Sequence, residues 1–175
     1  MNKIMFSIVN MVMFYVYWYL CLLGPSKENY YFGPIIGLLY FCFHFIVVDK
    51  KINDFKIFVL CGFLGLFFES TLHYSGFIIY KGILINNFNI IPFWVLILWF
   101  GFGLTLLHSF KWLLKRNILS SIVVALITPL IYISAHKIGS ITLVYSLAYS
   151  YIILAVSWIF IFFFINIIVN RYVLD

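Results

Sequence analysis

Residues 91–110 read IPFWVLILWFGFGLTLLHSF, a stretch without a charged side chain, and Lys111, Lys115 and Arg116 follow it directly. A helix over this stretch, at ~1.5 Å per residue, would rise ~30 Å, the thickness of a bilayer's hydrocarbon core. Trp94 and Trp112 sit near its two ends, where aromatic rings favour the headgroup level, and the cations sit at one end only. The segment therefore predicts a transmembrane helix with a defined depth and direction, and the rest of the chain has to fit around it.

The remainder repeats the pattern. Of 175 residues 66% are hydrophobic and 9% charged, too few charges to cover a soluble surface. The apolar runs predict spans at about residues 4–23, 32–48, 55–72, 91–110, 118–135 and 141–168. The expected fold is an all-α membrane protein, one multi-pass domain over residues 1–175, built as a bundle of about six helices. The first run lacks a small-residue cleavage site and is read as a retained span, not a signal peptide. Pro34 falls in a first helical turn, where no hydrogen bond is lost, whereas Pro129 falls inside a span and predicts a kink. Gly33 and Gly37 have the spacing of close helix contacts. Residues 75–90 suit either a short hairpin, with 77–80 and 83–85 flanking Lys81 and Gly82, or an irregular interfacial segment. No internal repeat is evident, so an inverted-repeat transporter gains no support.

The net charge of +6 comes from cations at the ends of apolar runs. That distribution excludes a nucleic-acid face and makes the lipid bilayer the expected partner. With six spans, Lys3, Lys50, Lys51, Lys56, Lys111, Lys115, Arg116 and Arg171 lie on the side of the termini; Lys27, Lys81 and Lys137 lie opposite. The positive-inside rule then puts both termini in the cytoplasm, across a bacterial inner membrane. Cys21, Cys42 and Cys61 fall within spans and read as small packing residues without a disulfide.

Glu69 is the one acidic residue expected inside a span; Glu28, Asp49, Asp54 and Asp175 are expected in loops or at the end. Intramembrane ionisable groups are costly and normally face the bundle interior. Ser70 is adjacent, His73 lies one turn on, and His136 approaches the same outer face. In the functional reading, Glu69, Ser70, His73 and His136 line a polar cavity that relays a proton or holds a polar head. In the structural reading, Glu69 is hydrogen-bonded to a neighbouring helix and His73 is interfacial. His44, Thr105, His108 and Ser109 form a second candidate polar cluster, toward the cytoplasmic face. No metal-ligand spacing, phosphate loop, dinucleotide fingerprint or nucleophile elbow occurs, so neither a metal nor a cofactor is expected.

Several short elements occur in a familiar order. Trp18 and Cys21 come late in the first span; Gly33, Pro34 and His44 mark the second; Glu69 is followed by Gly76 and Tyr80. Pro92, Trp94, Trp99 and the stretch TLLHSFKWL come next, then Thr128, Pro129, Tyr132 and Gly139. In these the chain resembles a family of small bacterial inner-membrane proteins known as a domain of unknown function, number twenty-eight seventy-eight. Leu107 stands where the family pattern has asparagine, and Thr128 where it has glycine. Members are often encoded among lipid-modification enzymes, so the resemblance implies a role in fatty-acyl or envelope lipid metabolism. The expected function is an accessory or lipid-binding one, with an acyl lipid or a membrane enzyme as partner. A small membrane enzyme using Glu69 with histidines, or a small transporter, is the alternative.

Overall fold

The structure, a computed structural model, describes residues 2–82, 90–115 and 117–174. Among these residues six α-helices follow one another: α1 (Lys3–Ser26), α2 (Phe32–Val47), α3 (Lys51–Tyr74), α4 (Phe93–Leu106), α5 (Asn117–Ile138) and α6 (Leu147–Val169). Two strands, β1 (Ile78–Tyr80) and β2 (Ile141–Leu143), interrupt the all-α pattern. A short 3-10 turn, Lys111–Lys115, follows α4, and a π-turn, Asn170–Leu174, extends α6.

Helices dominate because a chain this apolar must satisfy its backbone internally once water is excluded. Four helices are long and apolar enough to cross a membrane: Lys3–Ser26, Lys51–Tyr74, Ile118–Ile138 and Leu147–Val173. Two apolar helices are shorter: α2 has 16 residues and α4 has 14. At ~1.5 Å per residue they measure roughly 24 and 21 Å, less than a full hydrocarbon core. Phe63, Phe67 and Phe160 stand exposed on the outer surface, as lipid-facing residues do. The chain is a multi-pass membrane protein.

Inside, small residues let helices approach. A Cβ on Gly33 would strike the Cys21 backbone of α1, and one on Gly37 would meet Ile97 and Tyr17. A Cβ on Gly65 of α3 would strike the Trp99 ring of α4. Among the cysteines, Cys21 and Cys61 are buried in this packing and Cys42 is exposed.

Several boundaries differ from those read in the sequence. Helix α3 starts at Lys51, so Asp54 is in its first turn and buried, not in a loop. The paired histidines described below supply the polar partners that let the carboxylate enter the helix. Helix α4 stops at Leu106, which leaves His108 and Ser109 in the turn that follows. Residues 141–143 are a strand, and the sixth helix begins only at Leu147, where Ser146 caps it through Tyr149 N (3.4 Å).

Strand β1 pairs antiparallel with β2, Ile78 opposite Leu143, Ile79 opposite Thr142 and Tyr80 opposite Ile141. The first arm of the expected hairpin thus pairs with a distant loop; its second arm, residues 83–85, lies outside the described residues, as does Arg116. Gly76, Gly82 and Gly139 bound these strands with φ of 70°, 81° and 87°, a left-handed backbone open chiefly to glycine. Burial alternates along both strands: Ile78, Tyr80, Ile141 and Leu143 point inward, Ile79 and Thr142 outward.

Candidate functional site

The helices bring polar groups together at the two ends of the bundle, with an apolar groove between. At the end formed by the close of α3 and α5, Glu69 projects inward and is buried. Its Oε1 accepts from Trp99 Nε1 of α4 (2.8 Å) and from the Tyr132 hydroxyl of α5 (2.6 Å). Its Oε2 accepts from the Tyr80 hydroxyl of β1. The Trp158 ring of α6 stacks on Trp99 at 5.1 Å between centroids. One carboxyl group thus holds three other elements, all through aromatic donors. Burial, with the Glu69 charge next to it, pushes the Tyr80 hydroxyl well above the usual tyrosine range, so it stays a donor.

The other residues expected around Glu69 are held elsewhere. His73 Nδ1 lies 3.0 Å from Ile78 O, and His136 Nδ1 accepts from Leu143 N at 3.3 Å. Both histidines therefore brace the strand pair. Ser70 Oγ is buried with no hydrogen-bond partner among the described residues.

Between α1, α4 and α5 runs a cavity of about 250 Å³. Phe14 and Trp18 line it from α1, Trp94 and Phe102 from α4, Ile127 and Ile131 from α5. Glu69, Tyr80 and Tyr132 close one end, and Phe110, Trp112 and Leu113 reach its other end. Tyr15 and Ile127, which line it, are half-exposed, so the groove is open at the outer surface of the bundle. Ser70, His73 and His136 are not among its lining residues.

The second polar node lies at the opposite end of the bundle, among the second turn of α1, the last turn of α2, the first turn of α3 and the turn after α4. Asp54 Oδ1 lies 2.9 Å from His44 Nε2 and 2.6 Å from His108 Nε2. Asn10 of α1 places its amide 3.0 Å from His44 Nδ1 and 2.8 Å from the Tyr40 hydroxyl. Ser109 Oγ lies 2.8 Å from both Asn10 Oδ1 and Ser7 O. So His44, His108 and Ser109 do come together. Thr105 does not join them: its hydroxyl donates to Phe102 O at 2.6 Å.

Asp54, Asn10 and Tyr40 are the members that the sequence leaves out of the cluster, although Asn10 is polar enough there to face a neighbouring helix. The signal for Asp54 was the run Asp49-Lys50-Lys51-Ile52-Asn53-Asp54, whose charge placed it in a loop. For Asn10 it was a lone amide in an otherwise apolar span.

A helical bundle with apolar outer walls, an open groove and polar nodes at both ends defines a multi-pass membrane protein. The family model described as a protein of unknown function, DUF2878, matches residues 7–164, and the chain belongs to that family. No curated protein matches the chain, and no solved structure does.

Proposed function

We propose that this protein holds the acyl chain of a membrane lipid in the groove between α1, α4 and α5, in an accessory role in lipid or fatty-acyl metabolism. The observation that carries the reading is the groove itself. It is lined by aromatic and aliphatic side chains, is open at the outer surface of the bundle at Tyr15 and Ile127, and ends on the hydroxyls around Glu69. An apolar chain would enter from the bilayer and lie along the helices, with its polar end near Tyr80 and Tyr132. This reading is favoured over chemistry at Glu69, since three donors already occupy that carboxyl group and His73 and His136 are engaged with backbone.

The same proposal includes six spans, with the two short helices crossing alongside the four long ones, and both termini in the cytoplasm of a bacterial inner membrane. It rests on the cations: Lys3, Lys50, Lys51, Lys56, Lys111 and Arg171 all adjoin helix ends on the side of the termini.

The test is photo-crosslinking of the full chain in membranes grown with a diazirine-bearing fatty acid, followed by peptide mapping. Label should concentrate on groove residues of α1, α4 and α5. Ile131→Trp, which fills the groove, should remove that label. Labelling of the groove no stronger than that of the outward-facing Phe63 and Phe67 would overturn the proposal.

A further inference from the structure

We propose that His44, Asp54 and His108 bind a divalent transition-metal ion of the zinc class. This site is separate from the groove, and its standing does not depend on the acyl-chain reading. Two imidazoles and one carboxylate are the donor set of open zinc and non-haem iron centres, which leave a position for water or a ligand. One donor atom from each of the three residues can be chosen so that all lie within 4.8 Å of one another. The three come from α2, α3 and the turn after α4, so no sequence motif announces them. His44 and Asp54 are sealed from solvent, while the His108 side chain is 19% exposed, which gives an ion a way in.

The hydrogen bonds around the cluster allow two arrangements, one of which suits a cation. As placed, Asn10 Oδ1 and Ser7 O both face Ser109 Oγ at 2.8 Å, two acceptors for one hydroxyl hydrogen. Ser7 O already accepts a helix N–H, so this arrangement is complete, with the Asn10 amide donating to Tyr40 and His44 Nδ1 and His44 Nε2–H donating to Asp54; amide nitrogen and oxygen are equal in shape, so the amide can also be turned over. Ser109 then donates to Ser7 O and accepts from Asn10. The Asn10 oxygen now faces the Tyr40 hydroxyl at 2.8 Å and His44 Nδ1 at 3.0 Å, and both can donate. Only the contact to Leu104 O, at 3.5 Å already marginal, is given up.

In that arrangement His44 carries its hydrogen on Nδ1. The Nε2 lone pair then points at a carboxylate oxygen 2.9 Å away. Two lone pairs facing each other repel, so this arrangement is the one a bound cation selects, and the first is the one without it. Asn10 would be the outer partner that fixes ring and tautomer, as the partners of metal-bound histidines do. Zinc bonds of ~2.0–2.2 Å set tetrahedral ligand atoms roughly 3.3 Å apart. The His108 and Asp54 atoms, at 2.6 Å, would spread by several tenths of an ångström on binding.

The experiment uses the full chain carrying no polyhistidine tag, purified in detergent, loaded with zinc and washed with a weak chelator. Metal content is read by mass spectrometry, and cobalt(II) absorbance serves as a probe of site geometry. Wild type should retain about one zinc per chain and give visible cobalt bands of a four- or five-coordinate N,O site. His73→Ala/His136→Ala should retain the metal, His108→Ala should lose it, and Asn10→Ala should bind about 10- to 100-fold more weakly. His108 is the partly exposed ligand, so its variant is the one best placed to fold. If the variants fail to fold, the wild-type cobalt spectrum decides alone. Wild type without cobalt bands, or with no more zinc than a monodisperse His44→Ala/His108→Ala variant, would overturn the proposal and leave a proton-linked His–Asp–His cluster.

Discussion

Replacing Glu69 with leucine should destabilise the bundle, although it removes a carboxyl group from a membrane interior. In place of the carboxylate, Glu69→Leu would leave the Tyr80 hydroxyl, the Tyr132 hydroxyl and Trp99 N–H facing an isobutyl group. Each buried donor left unpaired costs about 1–3 kcal/mol, so three cost roughly 3–9 kcal/mol before any relaxation. Relief from desolvating the carboxyl group offsets part of this, as when buried charges are replaced by apolar groups of similar size. The donors are tied to three separate elements, so they cannot all turn toward one new acceptor, and a net loss of several kcal/mol remains. Glu69→Gln differs. Its oxygen can still accept from Trp99 and Tyr132, and its nitrogen can donate to the Tyr80 oxygen; the Tyr80 hydrogen alone is left over, a cost of about 1–3 kcal/mol. The assay is thermal stability of the detergent-solubilised chain, followed by fluorescence-detected size exclusion. The expected order is wild type, then Glu69→Gln, then Glu69→Leu well below both. A Glu69→Leu variant as stable as wild type would refute the view that this carboxyl group organises the surrounding helices.

Two further perturbations check other parts of the structure. Reporter fusions at Lys51 and Lys115 should read cytoplasmic, and fusions at Lys81 and Lys137 should read as the outer side; one reversed sign would break the six-span arrangement. Gly65→Ala sets a methyl group into the Trp99 ring and should cost about 1–3 kcal/mol, seen as a lowered melting temperature; an unchanged temperature would mean that the α3–α4 contact is loose.

How much of this was readable from the sequence depends on the range of the interaction. The helices were legible, because apolar length and cation placement are local properties, and residues 91–110 announced the class of protein unaided. Their ends were less so: a helix terminus depends on what receives it. Asp54 looked like a loop residue because charge normally marks solvent, and only His44 and His108, ten and fifty-four positions away, make it a buried one. The strand pairing was illegible for the same reason, since residues 78–80 meet 141–143 across two helices. Glu69 stood out as an intramembrane carboxylate. Its donors did not, for Tyr80, Trp99 and Tyr132 look like ordinary apolar residues until the fold aims one polar atom of each at the same point.

The strand pair and the Glu69 node are coupled, and this can be measured. Tyr80 sits in β1 opposite Ile141, so the ladder sets the position of its hydroxyl. Lys81 N donates to Ser140 O at 3.1 Å and Val144 N to Phe77 O at 3.3 Å. The alternation of an antiparallel ladder makes Ile79 and Thr142, midway between them, a hydrogen-bonded pair. Their side chains point outward, so Thr142→Pro removes a ladder N–H without cutting into the core. Taken alone, it should cost about 1 kcal/mol for the lost bond, plus whatever Tyr80 loses by shifting. Tyr80→Phe deletes the hydroxyl contact with Glu69 outright, and a hydrogen bond to a charged group is worth about 1.5–3 kcal/mol. If the ladder holds Tyr80 on Glu69, the proline does less damage once that hydroxyl is gone. The double variant should then fall short of the sum of the single effects by about 0.5–3 kcal/mol, the range for coupled residues. Full additivity in the same thermal assay would mean that Tyr80 reaches Glu69 without help from β2, and that the strand pair only ties two loops together.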